Sequence, residues 1–314
     1  GAHSQVDPTF KTPLRYTRLT ATALHQALRA EGWTEPAWPT PRLLNDLLNR
    51  LGYRLRLVQK SRPLKKIKET DAIFQNVHAR IQAADADPHT LRLSVDCKAT
   101  VEVGDFSRDG AARAQQAPAA LDHDMGAKEK VVPCGVLAPV SGALSIALVS
   151  SAKTSDLVAD VIEEVCRQQP AAQPEVREVV LTLDNGPESS GRRSQFLARM
   201  VALADALRVR IRLVYYPPYH SKYNPIERCW GVLERHWNGT LLSDRTTILE
   251  WCRSMTWKGL HPWVWLSGKV YEKGVRLSRQ AWAALELRLQ RSPTLPKWDI
   301  LIEPALVHSA PLVL

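Results

Sequence analysis

The chain has 314 residues, 45% of them hydrophobic, and a formal net charge of +10 from 42 Lys and Arg against 32 Asp and Glu. That apolar content supports a packed core and excludes a disordered chain, and no apolar run nears the roughly 20 residues of a membrane-spanning helix. Five scattered cysteines (Cys97, Cys134, Cys166, Cys229, Cys252) form neither a Cys-x-x-Cys pair nor a Cys/His cluster, which argues against structural zinc and for a reducing, cytoplasmic setting. Most of the positive excess lies within residues 1–70, and this asymmetry points to an acidic polymer, most simply nucleic acid, as partner. The opening Gly1-Ala2-His3-Ser4 reads as a cloning remnant or a cut point.

In chain order, Thr20 or Thr22 opens a short amphipathic helix with Leu24 and Leu28 on one face and Gly32 beyond it. After the Pro-rich EPAWPTP, Thr40 caps a second helix, Pro41 takes its first position, and Leu43, Leu44, Leu47, Leu48 and Leu51 form a stripe that ends at Gly52. Its other face offers Arg42, Asn45, Asn49 and Arg50. Two short helices of this kind fit a helix-turn-helix, in which Arg reads guanine and Asn reads adenine in the major groove. The alternating YRLRLV, Tyr53 to Val58, fits the wing of a winged helix, and the basic KSRPLKKIK, with Lys65 and Lys66, fits a linker that follows phosphates.

From Leu91 the period changes to that of strands: LRLSVDC, VEVGDF, VVPCGVLAPV and ALSIALVS, the last two joined at Ser141-Gly142. A helix then starts at Thr154 or Ser155, and a buried strand EVVLTLD follows. Next come a helix striped by Phe196, Met200, Leu203 and Leu207, an alternating strand from Val209 to Tyr215, and a helix striped by Ile226, Trp230, Leu233 and Trp237. The predicted class is α/β, a ribonuclease-H-like mixed sheet flanked by helices in β-β-β-α-β-α-β-α order, preceded by a small winged helix-turn-helix domain. The predicted domains are 1–70 for DNA binding with its basic linker, 85–260 for the sheet, and 261–314 as a helical, Trp-containing extension packed on it. The dense Trp251, Trp257, Trp263 and Trp265 read as packing, with base stacking the minor alternative.

Three carboxylates stand out. Asp96 lies on the polar face near the end of its strand, Asp184 ends EVVLTLD and runs into the turn Asn185-Gly186-Pro187, and Glu227 opens a helix after Pro225. Each alone is explained as a turn cap or a partner of the helix dipole. Together, at the carboxyl ends of adjacent strands where ligands of open α/β sheets gather, they would repel one another without a cation, and hard oxygen ligands suit Mg2+ or Mn2+. A pair of such ions clamps a phosphodiester for in-line phosphoryl transfer. Glu188, Asp122 and Asp124 are competing carboxylates.

SVDCKATVEVGDF, LTLDNGPESSGRR and YYPPYHSKYNPIERCWGVLE resemble the catalytic blocks of DDE transposases, most closely the ISAzo-type insertion-sequence group of the mariner-like superfamily, over residues from about 90 to 304. The resemblance implies Asp96, Asp184 and Glu227 as a metal-binding catalytic triad with two Mg2+ or Mn2+ ions. It implies strand cleavage at transposon ends followed by attack of the freed 3′-hydroxyl on target DNA. Asn185, beside Asp184, and His220, Lys222 and Asn224, in the loop before Glu227, are then candidates to support the metal site or contact phosphate. The implied partners are double-stranded DNA, as terminal inverted repeats and target, and further copies of the chain as a homodimer or higher oligomer on DNA. A membrane or a small-molecule substrate is not expected. The implied location is the nucleoid of a bacterial cytoplasm. The alternatives are a transposase-derived DNA-binding protein without catalysis and a ribonuclease-H-like nuclease.

Overall fold

The structure is a computed structural model that describes residues 4–6, 15–17, 20–33, 38–55, 66–108, 110–111, 114–121, 129–168 and 175–305. The chain divides into two compact units, Gly1–Arg62 and Pro63–Leu314.

The first unit holds a two-stranded antiparallel ribbon, β1 (Ser4–Val6) and β2 (Arg15–Thr17), and two helices, α1 (Ala21–Ala30) and α2 (Pro41–Arg50). Both helices start as their sequences direct. The Thr20 hydroxyl accepts the Ala23 N–H at 3.1 Å, and the Thr40 hydroxyl accepts the Leu43 N–H at 3.2 Å with Pro41 next to it. The Trp38 indole N–H donates to His25 Nε2 between them. Of the leucine stripe only Leu44 is buried, while Leu43, Leu47 and Leu51 remain exposed. Tyr53 to Leu55 of the expected wing form no strand; its remaining residues, and Lys65 of the basic run, lie outside the described residues.

The second unit is built on one large sheet. Its strands are β3 (Thr90–Cys97), β4 (Val101–Val103), β5 (Glu129–Leu137), β6 (Leu144–Val149), β7 (Glu178–Leu183), β8 (Arg210–Tyr215), β9 (Trp263–Ser267), β10 (Leu289–Arg291) and β11 (Asp299–Ile302). Their order is β10-β11-β8-β7-β3-β5-β6-β9, with β4 paired on β5 outside this path. The helices are α3 (Thr70–Ala86), α4 (Ser155–Arg167), α5 (Ser194–Leu207), α6 (Ile226–His236), α7 (Arg245–Ser254) and α8 (Arg279–Glu286). β3, β5 and β6 form an antiparallel meander, and β7 and β8 run parallel to β3. With α4, α5 and α6 following β6, β7 and β8, this is the ribonuclease-H-like arrangement expected from the alternation of periods.

Alternation along the strands divides the core between two faces. Val132, Cys134, Val136, Ala147 and Val149 join α3, α4 and α5 in one cluster, while Val131, Leu137, Leu144, Ile146 and Leu148 join α6 and α7 in the other. On β3, Leu93 and Val95 belong to the first cluster, so the intervening Ser94 and Asp96 turn toward α6, to which both are bonded.

Two parts of this unit depart from the sequence reading. α3 carries no signal that the sequence reading uses, yet Ile73 and Val77 on it are fully buried against the sheet, and Arg80 reaches Asp299 of β11 at 2.7 Å. The segment beyond residue 261, expected to be helical, instead supplies β9, β10 and β11, with α8 as its one helix among the described residues. The sheet recruits these short segments because both of its edges, at β6 and β8, otherwise expose unpaired backbone groups. Ile73→Ala is expected to destabilise the protein by about 2–5 kcal/mol in urea unfolding, which an unpacked linker helix would not do.

Candidate active site

Strand register sets the positions of the first two carboxylates. β3 and β7 run parallel with Ser94 opposite Thr182, so Asp96 and Asp184, two residues further along each, leave the sheet at the same end. Thr182 braces the pair by donating from its hydroxyl to the Leu93 carbonyl at 3.1 Å. Beyond β7 the chain turns sharply: Asn185 takes a left-handed φ of 62°, and the Gly186 N–H donates to Asp184 Oδ1 at 3.0 Å.

Glu227 comes from α6, whose start is tied to β3. Ser94 Oγ donates to Asn224 Oδ1 at 2.5 Å, Asn224 Nδ2 donates to the Val95 carbonyl at 3.0 Å, and the Ile226 N–H donates to Ser94 Oγ at 3.1 Å. One turn on from Glu227, the Trp230 indole N–H donates to Asp96 Oδ2 at 2.8 Å. That approach is open because Gly135 faces Asp96 across β3 and β5. A Cβ on Gly135 would stand 2.6 Å from the Trp230 ring and 2.9 Å from Ile226.

The electrostatics are those of uncompensated negative charge. Burial pushes the Asp96 carboxyl up from 3.8 to about 7, Asp184 and Glu227 add repulsion, and the Trp230 hydrogen bond and Lys153 oppose the rise. Lys153 sits among Asp96, Asp184 and Glu188; burial disfavours its charge, but the anionic groups around it outweigh burial and hold its pKa above the usual lysine range. Its one ion pair among the described residues is with Glu188, at 3.6 Å. Asp96, Asp184, Glu188 and Lys153 line one narrow cleft, with Cys97 and Ser189 beside them. As placed, no three His, Cys, Asp or Glu side chains among the described residues stand close enough to share a metal ion. The three acids are thus electrostatic neighbours and not yet a ligand cage.

Lys153, Ser94, Trp230 and Gly135 were not singled out for this site by sequence. Lys153 immediately precedes the α4 cap Thr154, and a basic residue there has no distinctive pattern. Among the competing carboxylates, Glu188 reaches the cleft but is offset by Lys153, while Asp122 and Asp124 lie outside the described residues.

Two of the proposed phosphate contacts need correction. Asn224 is fully buried and spends its amide on β3. His220 is 3% exposed, with its ring packed on Phe74 and its Nδ1 2.7 Å from the Pro218 carbonyl. Both build the loop, because a polar side chain there satisfies backbone that would otherwise be buried unpaired. Asn185 Oδ1 accepts the Gly191 N–H at 3.3 Å and braces its own loop. Lys222 is exposed, its Nζ over the Tyr223 ring. In the first unit Arg42, Asn45 and Arg50 are exposed and Asn49 is half-buried; Lys66, in the second unit, is exposed.

The strand order and the helices on both faces define the ribonuclease-H-like fold class. The chain belongs to the family described as the Rhodopirellula transposase DDE domain, whose model matches residues 1–304. It is therefore a DDE transposase, an enzyme of DNA strand cleavage and strand transfer in a class that uses divalent metal ions. No curated protein matches it. Among solved structures it is similar to Mos1 transposase in a paired-end complex with the left transposon end, at 12% identity over 73% of this chain and 68% of that one, with a TM-score of 0.43. It is also similar to the Mos1 mariner paired-end complex with Mn, at 12% identity, 73% and 69% coverage and a TM-score of 0.46. The mariner Mos1 paired-end complex with Mg is similar at 14% identity, 79% and 74% coverage and a TM-score of 0.43.

Because Asp96 binds its proton more tightly in the folded than in the unfolded chain, its contribution to stability is full below pH 3.8 and is lost as pH rises through about 7. Asp96→Asn is expected to remove that loss. Thermal unfolding in EDTA should show the variant matching wild type at low pH, gaining on it as pH rises toward 7, and keeping a constant advantage above that.

Proposed function

We propose that Asp96, Asp184 and Glu227 are the DDE triad and hold two divalent ions, Mg2+ or Mn2+. The observation that carries this reading is the missing counter-charge. Asp96 is buried and raised by two carboxylate neighbours, and among the described residues none of the three acids has a basic side chain in ion-pair contact. Hard oxygen donors with unmet negative charge fit a hard divalent cation. Because the acids are not gathered as placed, binding has to draw them together, and Glu227, on the longest side chain, has the most freedom to move.

Bound there, the ions would neutralise the developing charge of in-line phosphoryl transfer and activate water or a 3′-hydroxyl. The chain's own groups do the positioning. Trp230 holds one Asp96 oxygen and leaves the other available, the Gly186 N–H orients Asp184, and the Ser94–Asn224 tether fixes the start of the helix that bears Glu227. Lys153 screens the carboxylates before an ion arrives.

The substrate is double-stranded DNA, first the terminal inverted repeats and then the target. Arg42, Asn45, Asn49 and Arg50 of α2 would read base edges, and Lys65, Lys66 and Lys222 would meet phosphates. The net charge of +10 supports this assignment. Cleaving and joining paired ends calls for a homodimer or higher oligomer on DNA, working at the bacterial nucleoid. Among the described residues no helix is long and apolar enough to cross a membrane.

Asp184→Asn should abolish Mg2+-dependent nicking of inverted-repeat DNA while leaving DNA affinity nearly intact; nicking retained by a clean preparation would sink the triad assignment. Glu227→Gln should also lose metal-dependent nicking. Its stability cost should be no more than the roughly 1 kcal/mol that a first-turn carboxylate gains from the helix dipole, read from its urea midpoint.

A further inference from the structure

The loop between β8 and α6 holds a tyrosine where a glycine is the natural choice. The His220 N–H closes a turn on the Pro217 carbonyl at 3.2 Å, with Pro218 and Tyr219 as its central residues. Tyr219 has φ 64°, as the third residue of a type II turn requires, and that position selects Gly or Asn because a Cβ is strained there. Among the described residues the other non-glycine residues with positive φ are Asn185, which tolerates it, Arg208 at the end of α5, and Lys258 in the tight turn between Trp257 and Leu260. Tyr219 alone among them combines the strain with a large aromatic ring.

The ring is not buried in return for the strain. Tyr219 is 54% exposed, and its ring makes no aromatic contact among the described residues. The loop beneath it is nonetheless anchored. His220 is buried and lies edge-on to Phe74 with centroids 5.3 Å apart, Tyr223 meets Phe74 at 5.0 Å, and Asn224 is bonded to β3. Tyr223 is itself 50% exposed, and Lys222 Nζ lies 5.2 Å from its ring centre. Two half-exposed tyrosines and a lysine are therefore held on an anchored loop. The loop springs from β8 beside the end of β7 that carries Asp184 and runs into the helix that carries Glu227.

We propose that Tyr219, flanked by Tyr223 and Lys222, is a stacking platform for an unpaired DNA base next to the scissile phosphate. Every base has a π-face, so an exposed ring on an anchored loop binds one without reading sequence, and a neighbouring cation favours the adjoining phosphate. Where a strand loses pairing near its cleaved end, a ring beside the carboxylates can take up the freed base and hold it there. This role rests on the DNA-cleavage reading above and adds a DNA-distorting residue outside the carboxylate site.

The test uses the full chain in EDTA and a DNA duplex that ends in a three-nucleotide overhang, with 2-aminopurine at the first unpaired position. Wild type should quench the probe by stacking. Tyr219→Gly should lose the quenching and bind the overhang DNA about tenfold more weakly, with affinity for a blunt duplex unchanged. The same variant should unfold about 2–4 °C higher, because glycine relieves the turn. Tyr219→Trp should keep the quenching. Quenching retained by Tyr219→Gly overturns the proposal, and so does a Tyr219→Gly variant that loses stability, since the ring would then serve packing. With no metal present the result does not depend on the triad: a chain that stacks the base but fails to nick in Mg2+ refutes the triad alone, and one that nicks without tyrosine-dependent quenching refutes the platform alone.

Discussion

Ser94 and Asn224 join the central strand to the loop before α6 through a hydrogen bond that neither solvent nor charge disturbs, since both side chains are fully buried. Ser94 accepts the Ile226 N–H with the same oxygen, so the strand supplies the helix start with the partner that an N-terminal N–H lacks. Each such bond contributes about 1 kcal/mol, but a buried donor or acceptor left unpaired costs about 1–3 kcal/mol, so the group holds or fails as a unit. Everything at the sheet end depends on it: it sets where Glu227 emerges, brings Trp230 over Gly135, and places the indole N–H on Asp96. A proline-bounded loop with two tyrosines can be exposed here without being loose because its next residues are anchored in the core.

The sheet and its helices were legible because their periods differ. The short apolar run of EVVLTLD and the 0, 4, 7, 11 spacing of Ile226, Trp230, Leu233 and Trp237 are local signals, and both match elements of the structure. Asp184 and Glu227 were legible as candidates because Asn185-Gly186-Pro187 and Pro225 punctuate the chain beside them. What the sequence could not display is pairing at long range. α3 is a mixed-polarity helix whose burial is set by β3 and β8, and β9, β10 and β11 are strands because sheet edges needed partners, not because five or fewer residues of their own prefer it. The same limit explains why Asn224 and His220 stood among the candidate phosphate contacts. Polar residues in a loop usually face water, and only the fold reveals that Asn224 opposes the backbone of Val95 across more than a hundred residues of chain.

The treatment of buried acids separates structure from function in this chain. Asp299 is 2% exposed and receives both Arg80 and Arg212, and Glu178 receives Arg210 and Arg212. At Asp160 burial pushes the carboxyl up, yet hydrogen bonds from Lys269, Arg199 and Tyr271 outweigh it and hold the group below the usual carboxylate range. At Asp96 burial acts in the same direction, but the strongest charge effects come from two further acids, and the one direct donor among the described residues is a neutral indole. A chain with 42 Lys and Arg had basic side chains to place there, and the one that approaches, Lys153, is paired to Glu188 instead. An arginine locked onto Asp96 would remove the repulsion and also fill the carboxylate's coordination sites with a cation that cannot leave. Among the described residues Asp96 is bonded only to Trp230, which leaves the site destabilised as pH rises toward neutrality and open to an exchangeable cation, as the proposed metal site requires.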